Sequence, residues 1–160
     1  MLHIGVDEAG RGPVIGPLVV GCVCIPEGDI QMLVEAGVKD SKDLSKKKRE
    51  TIRTWFFENC QTRGWKYSVI SCPPSRIDIA VANKGLNILE TQLFAEAINK
   101  LALVGNDNGF MITNDACDVD EKRFTRRISA LIDQWPWPNS EMVSFHKADE
   151  NFPIVGMASI

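Results

Sequence analysis

The chain is poor in the side chains that build zinc centres and disulfide frames. It holds two histidines, and its five cysteines (Cys22, Cys24, Cys60, Cys72 and Cys117) are odd in number and contain no C-x-x-C pair. A structural zinc site needs four nitrogen or sulfur ligands, usually in closely spaced pairs, so these cysteines read as reduced core thiols of a cytosolic protein. An excess of one charge is also missing. The formal net charge is −3, so nothing global advertises a polyanion partner, and any nucleic-acid chemistry needs basic groups gathered locally. No stretch approaches the ~20 apolar residues of a membrane span. The opening "MLHIGVDEAG" lacks a basic segment followed by a long apolar one, so no secretory signal is read there. The expectation is a soluble, cytoplasmic protein without membrane contact. Internal repeats and low-complexity linkers are absent too. What is present is apolar: 44% of 160 residues are hydrophobic, enough to give one domain over 1–160 a real core.

Strands are predicted at His3 to Glu8 and Leu18 to Ile25, with a glycine-rich turn between them. A short helix follows near Ile30 to Ala36, then the basic stretch "KDSKDLSKKKRE", where Ser45 is placed to cap a helix running to about Glu58. Residues 65–71, "WKYSVIS", alternate as a third strand, and a loop is expected after Pro73-Pro74. "LNILETQLFAEAINKLALV" carries apolar residues at helical spacing. "GFMITNDA" reads as a fourth strand, "DEKRFTRRISALIDQW" as a helix and "SEMVSFH" as a fifth strand. Consecutive early strands and later alternation with helices predict an α/β fold, a mixed sheet flanked by helices. A last helix near Pro153 ends on an apolar residue without a cap, as in a chain shortened relative to its natural relatives.

The chemistry begins with Asp7 and Glu8. Adjacent residues on a strand alternate faces, so both acids serve one site only if the strand ends or bulges there, and Gly10 permits that. Asp115 follows an apolar strand, with Asp118 one turn on, and Asp149 stands at a strand-to-helix junction beside His146 and Lys147. Taken singly, each acid is more often a turn or cap carboxylate. Together, Asp7, Glu8, Asp115 and Asp149 stand just past strand ends, which converge on one rim of an open sheet. Four carboxylates meeting there repel one another unless cations lie between them, and hard oxygen ligands suit Mg²⁺ or Mn²⁺.

"GRGPVIG" is not a dinucleotide or P-loop signature, because a β-branched strand follows it and no Gly-Lys-Ser/Thr is present. It is a turn where a ligand can approach the backbone and Arg11 can fork onto a phosphate; a tight connection with a solvent-facing arginine is the plainer alternative. Lys46 to Arg49 read as a solvated helix face, whereas Lys39, Ser41 and Lys42 precede the helix in a loop suited to gripping a backbone phosphate. His146 reads as a hydrogen-bonded strand-end residue. Asn87 and Glu90 in "LNILE" read as helix-surface groups or as groups behind the ligands, and "WPWP" as packing at the edge of the core.

"GVDEAGRGPVIGPLV", "VKDSKDLS", "LNILE", "DACDVDEKRF" and "HKADENFPIVGMASI" resemble ribonuclease HII of the archaeal type, in family order over the whole chain. The resemblance implies the ribonuclease H fold, a five-stranded mixed sheet with helices. It implies hydrolysis of the RNA strand of RNA–DNA hybrids and incision 5′ to a ribonucleotide embedded in duplex DNA. Roles in ribonucleotide excision repair and DNA replication come with it. By the family's pattern Asp7, Glu8, Asp115 and Asp149 are the metal-binding acids for Mg²⁺ or Mn²⁺, while Gly10, Arg11 and Gly12 meet the ribose 2′-hydroxyl and the adjacent phosphate. Two ions about 4 Å apart would support in-line attack by water, leaving a 5′-phosphate and a 3′-hydroxyl. The small-residue run after H-K-A-D here includes Gly156 and Met157, and no tyrosine takes the family's C-terminal junction-sensing place, since Tyr67 lies in an early strand. No sliding-clamp motif is read in the chain, and a monomer is expected. A related metal-dependent nuclease that ignores the 2′-hydroxyl, or a fold core without activity, are the alternatives.

Overall fold

The computed structural model describes residues 1–9, 18–38, 44–83, 85–103 and 109–160. Gly10, Arg11, Gly12, Lys39, Ser41 and Lys42, the expected phosphate and ribose contacts, lie outside the described residues.

Five strands form one mixed sheet in the order β3-β2-β1-β4-β5. β1 (Leu2–Ala9), β2 (Leu18–Pro26) and β3 (Lys66–Cys72) make an antiparallel meander. β4 (Phe110–Asp115) and β5 (Glu141–Phe145) add parallel strands on the other side of β1. Helices cover both faces of the sheet, and β2 is apolar on both, with Val20 and Cys22 on one side and Val23 and Ile25 on the other. On one face α4 (Leu86–Lys100) and α5 (Glu121–Ser129) cover Ile4, Val6, Val20, Phe110 and Ile112. On the other, α1 (Ile30–Glu35), α2 (Lys46–Arg63) and α7 (Pro153–Ser159) pack with Val23 and Ile25. This is the mixed α/β sheet expected from the pattern.

Local chemistry explains the boundaries. Ser45 accepts the Lys48 N–H at 3.1 Å and caps α2, which runs to Arg63, beyond the expected end, and stops where Gly64 adopts φ 70°. The loop expected after Pro73-Pro74 is instead a helix, α3 (Pro74–Ala82). Pro74 stands at its first position, where no N–H is needed, and Ile77 and Ala80 turn one face to the core. The helix expected as far as Trp135 ends at Ser129. There the Asn99 side chain on α4 takes over the backbone, accepting the Asp133 N–H at 3.0 Å and donating to the Leu131 carbonyl at 3.1 Å.

α7 lies so close to the sheet that side chains are excluded beneath it. A Cβ on Gly5 would stand 2.5 Å from the Ile154 carbonyl oxygen, and one on Gly21 would stand 2.4 Å from that of Ala158. The helix thereby bridges β1 and β2. It follows directly on α6 (Ala148–Asn151), the element that carries Asp149.

Candidate metal centre

β1 and β4 run parallel, with Val6 opposite Asn114. One residue further along each strand stand Asp7 and Asp115, at the carboxyl-terminal rim of the sheet. Asp115 in turn pairs with Phe145, the last residue of β5. The chain then reverses through Lys147, at φ 56°, and enters α6. Asp115 Oδ1 accepts the Ala148 N–H at 2.9 Å, which ties the start of α6 to the end of β4 and brings Asp149 over the rim. Carboxylate oxygens of Asp7, Asp115 and Asp149 all lie within 4.8 Å of one another.

Asp7 and Asp149 are buried, and Asp115 is partly so. Burial foremost, then the hydrogen-bonded and like-charged Asp115 carboxyl, then the charge of Asp149, push the Asp7 carboxyl up from 3.8 to about 10, against the Glu8 N–H that bonds Asp7 Oδ1 at 2.8 Å. Three acids this close share their space with a proton when no cation is there. An all-oxygen donor set of this charge fits a hard divalent ion such as Mg²⁺ or Mn²⁺.

Glu8 does not join this group. β1 neither ends nor bulges at the acids: Asp7, Glu8 and Ala9 pair in turn with Gly21, Val20 and Val19. Strand alternation therefore sends Glu8 to the opposite face, the one covered by α4. There a Glu8 oxygen, a Glu90 oxygen and the Cys117 sulfur lie within 4.8 Å of one another. Of the four acids expected together, Asp7, Asp115 and Asp149 stand in one group of three and Glu8 in a neighbouring one with Glu90 and Cys117. Glu90, expected on a helix surface or behind the ligands, is fully buried at the second of them. Its signal was available in the helical phase, since Glu90 shares a face with Leu86, Leu93, Phe94 and Ala97. Cys117, read as a core thiol, stands there too.

Asp118 belongs to neither group. Arg123 donates to it from Nη2 at 2.6 Å and from Nε at 2.8 Å, and Arg127 lies 3.8 Å away. The Arg123 hydrogen bonds hold its carboxyl down to about 2. The folded carboxyl thus loses its charge only below the unfolded value of 3.8, so this pairing stabilises the fold at neutral pH and is lost as pH falls through that window. Asp118→Asn is expected to remove this acid-side loss: melting temperatures measured between pH 5 and pH 2 should fall less steeply than in the unsubstituted protein. His146 Nε2 donates to the Asp118 carbonyl at 2.7 Å, and its N–H to Glu121 at 2.6 Å, so that histidine fastens the β5 exit to the start of α5.

A cavity of about 270 Å³ opens against α7, its lining including Asp7, Glu8, Ala9, Phe57, Tyr67 and Val69. Tyr67, on a strand separate from the acids in sequence, thus shares a cavity with Asp7. Among the described residues no helix is long and apolar enough to cross a membrane.

Comparison with known proteins gives one consistent result. A family model described as Ribonuclease HII matches residues 4–160. The ribonuclease HII of Methanococcus maripaludis strain C6 is 40% identical over 158 residues, which are 98% of this chain and 62% of that protein. The crystal structure of ribonuclease H2 from Pyrococcus horikoshii superposes with a TM-score of 0.79 at 36% identity, over 99% of this chain and 69% of that one. A ribonuclease HII from Archaeoglobus fulgidus, solved in complex with PCNA, superposes with a TM-score of 0.76 at 32% identity, over 99% of this chain and 69% of that one.

Proposed function

From the premise that this chain belongs to the ribonuclease HII family, we propose that it is an endoribonuclease. It hydrolyses the RNA strand of RNA–DNA hybrids and cuts duplex DNA on the 5′ side of an embedded ribonucleotide. The observation that carries the reading is the convergence of Asp7, Asp115 and Asp149 at the carboxyl-terminal rim of three neighbouring strands. The chain spans 62% of the length of the Methanococcus relative, so the activity of the longer proteins comes to it as a proposal.

Asp7, Asp115 and Asp149 would hold one divalent cation, with Glu8 serving a neighbouring position across the strand end. Bound there, the ions supply Lewis-acid charge for an attacking water and for the leaving 3′ oxygen of the phosphodiester. The protein's own part is placement. Asp115 is held by the Ala148 N–H, and Asp7 by the N–H of Glu8, so two of the acids are oriented by backbone donors. Gly10, Arg11 and Gly12 are proposed to meet the ribose 2′-hydroxyl, the feature that separates RNA from DNA, and Lys39, Ser41 and Lys42 to grip the backbone. Because water is the nucleophile, the 2′-hydroxyl is read and does not attack.

The test is cleavage of two end-labelled duplexes, a continuous RNA–DNA hybrid and a DNA duplex with one ribonucleotide, in Mg²⁺ and in Mn²⁺. Metal-dependent incision 5′ to the lone ribonucleotide supports the full reading. Cutting of the hybrid alone would remove the embedded-ribonucleotide part. A folded protein that cuts neither would sink the enzyme.

A further inference from the structure

α4 places its residues against the expectation of the hydrophobic effect at one point. Ile88 is 50% exposed, while Glu90, two residues on, is 0% exposed. The neighbours of Glu90 on the buried face, Leu93, Phe94 and Ala97, are apolar. An apolar side chain of similar volume would bury there without the desolvation that a carboxylate carries, and such replacements are often neutral or stabilising. What Glu90 does have is a place beside Glu8: oxygens of the two acids and the Cys117 sulfur lie within 4.8 Å of one another.

We propose that Glu90 is a positioning residue for the hydrolytic site, acting through Glu8; this rests on the ribonuclease reading above. Glu8 leaves β1 on the face opposite Asp7, and a glutamate has three side-chain torsions to settle. Glu90, fixed in a packed helix, limits where the Glu8 carboxylate can stand at the rim, and its charge adds to the attraction that Glu8 exerts on a divalent cation. Glu90 touches neither water nor phosphate in this role. It sets how firmly Glu8 holds its ion.

The experiment compares Glu90→Gln, which keeps size, and Glu90→Leu, which keeps packing, with the unsubstituted protein. Mn²⁺ binding is followed by calorimetry, cleavage by kcat and KM, and folding by thermal melting. Both variants are expected to melt cooperatively, to bind Mn²⁺ about 10–100-fold more weakly and to lose kcat in similar proportion, with KM for the duplex unchanged. Glu90→Asp, which retains the charge, should recover part of the loss. Unchanged Mn²⁺ affinity and kcat in Glu90→Gln would overturn the proposal, as would losses that follow melting temperature alone. If the unsubstituted protein binds Mn²⁺ in a Glu90-dependent way yet cuts no duplex, the proposal's metal link holds and the ribonuclease reading falls. If it binds no Mn²⁺, both fall.

Discussion

Asp7→Asn should lower cleavage of both duplexes by at least about 100–1,000-fold, the loss typical when one preorganised stabiliser of transition-state charge is removed. The same substitution should make the metal-free protein more stable in alkaline solution. Asp7 is buried against Asp115 and near Asp149, and its folded carboxyl titrates near 10 where the unfolded one titrates at 3.8. Between those values the folded state holds a proton that the unfolded state has released. Stability of the metal-free fold therefore falls as pH rises across the window, by up to about 1.4 kcal/mol per pH unit. Asparagine reproduces the protonated carboxyl in shape and in its ability to donate toward Asp115, and it has no charge to suppress. Melting temperatures in a chelator at pH 5, 7 and 9 should decline for the unsubstituted protein and stay nearly level for Asp7→Asn. Parallel curves would show that Asp7 takes up no extra proton on folding. Mn²⁺ competes with that proton, so its binding should tighten as pH rises, and Asp7→Asn should lose that dependence together with activity.

Loss of activity with gain of stability is the signature of a site whose like charges are gathered for a ligand and not for the fold. Asp118 gives the contrast within the same motif. It is as buried as Asp7, yet two hydrogen bonds from Arg123 keep it ionised and make it stabilising. Two residues separate Asp115 from Asp118 in sequence, and one serves the rim while the other ties α5 to the loop. Residue type and spacing in "DACD" do not distinguish them. The position of Arg123 on the following helix does, and that is a matter of packing.

The same distinction explains what was legible in the chain. Strand alternation and helical spacing were enough for the mixed sheet, and Ser45 for the start of α2, because those signals are local. The rim position of Asp7, Asp115 and Asp149 followed from a rule about parallel strands that needs only the strand order. The side of β1 that Glu8 takes was not legible, because the glycine after the acids was read as permitting a strand end, whereas β1 keeps its register with β2 through Ala9. Glu90 and Cys117 could not be joined to Glu8 without knowing that α4 crosses the sheet opposite the end of β1. α3 was missed because two prolines were read as a break, although the second of them occupies the one helical position that suits proline.

Gly5→Ala should be the most damaging single-methyl change in the sheet, at about 3 kcal/mol, the upper end of the usual cost of overpacking. The added Cβ would meet the Ile154 carbonyl oxygen at 2.5 Å, its carbon at 2.6 Å and the Val155 nitrogen at 2.8 Å, all backbone atoms that cannot turn aside as a side chain would. Relief requires the whole of α7 to lift from β1. That helix contributes Ile154, Val155 and Met157 to the core on its face of the sheet, so lifting it exposes apolar surface along its length. It also follows α6 with only Phe152 between them, and α6 carries Asp149. The expected result is therefore double: a lower midpoint in urea unfolding, and weaker Mn²⁺ binding even where the variant remains folded. Gly28→Ala is the control, since a Cβ there meets nothing within 4 Å. If Gly5→Ala unfolds at the same urea concentration as the control, α7 is not pressed onto the sheet as described. If it is destabilised but binds Mn²⁺ with unchanged affinity, the place of Asp149 is held by the Asp115–Ala148 hydrogen bond alone and owes nothing to the helix beyond it.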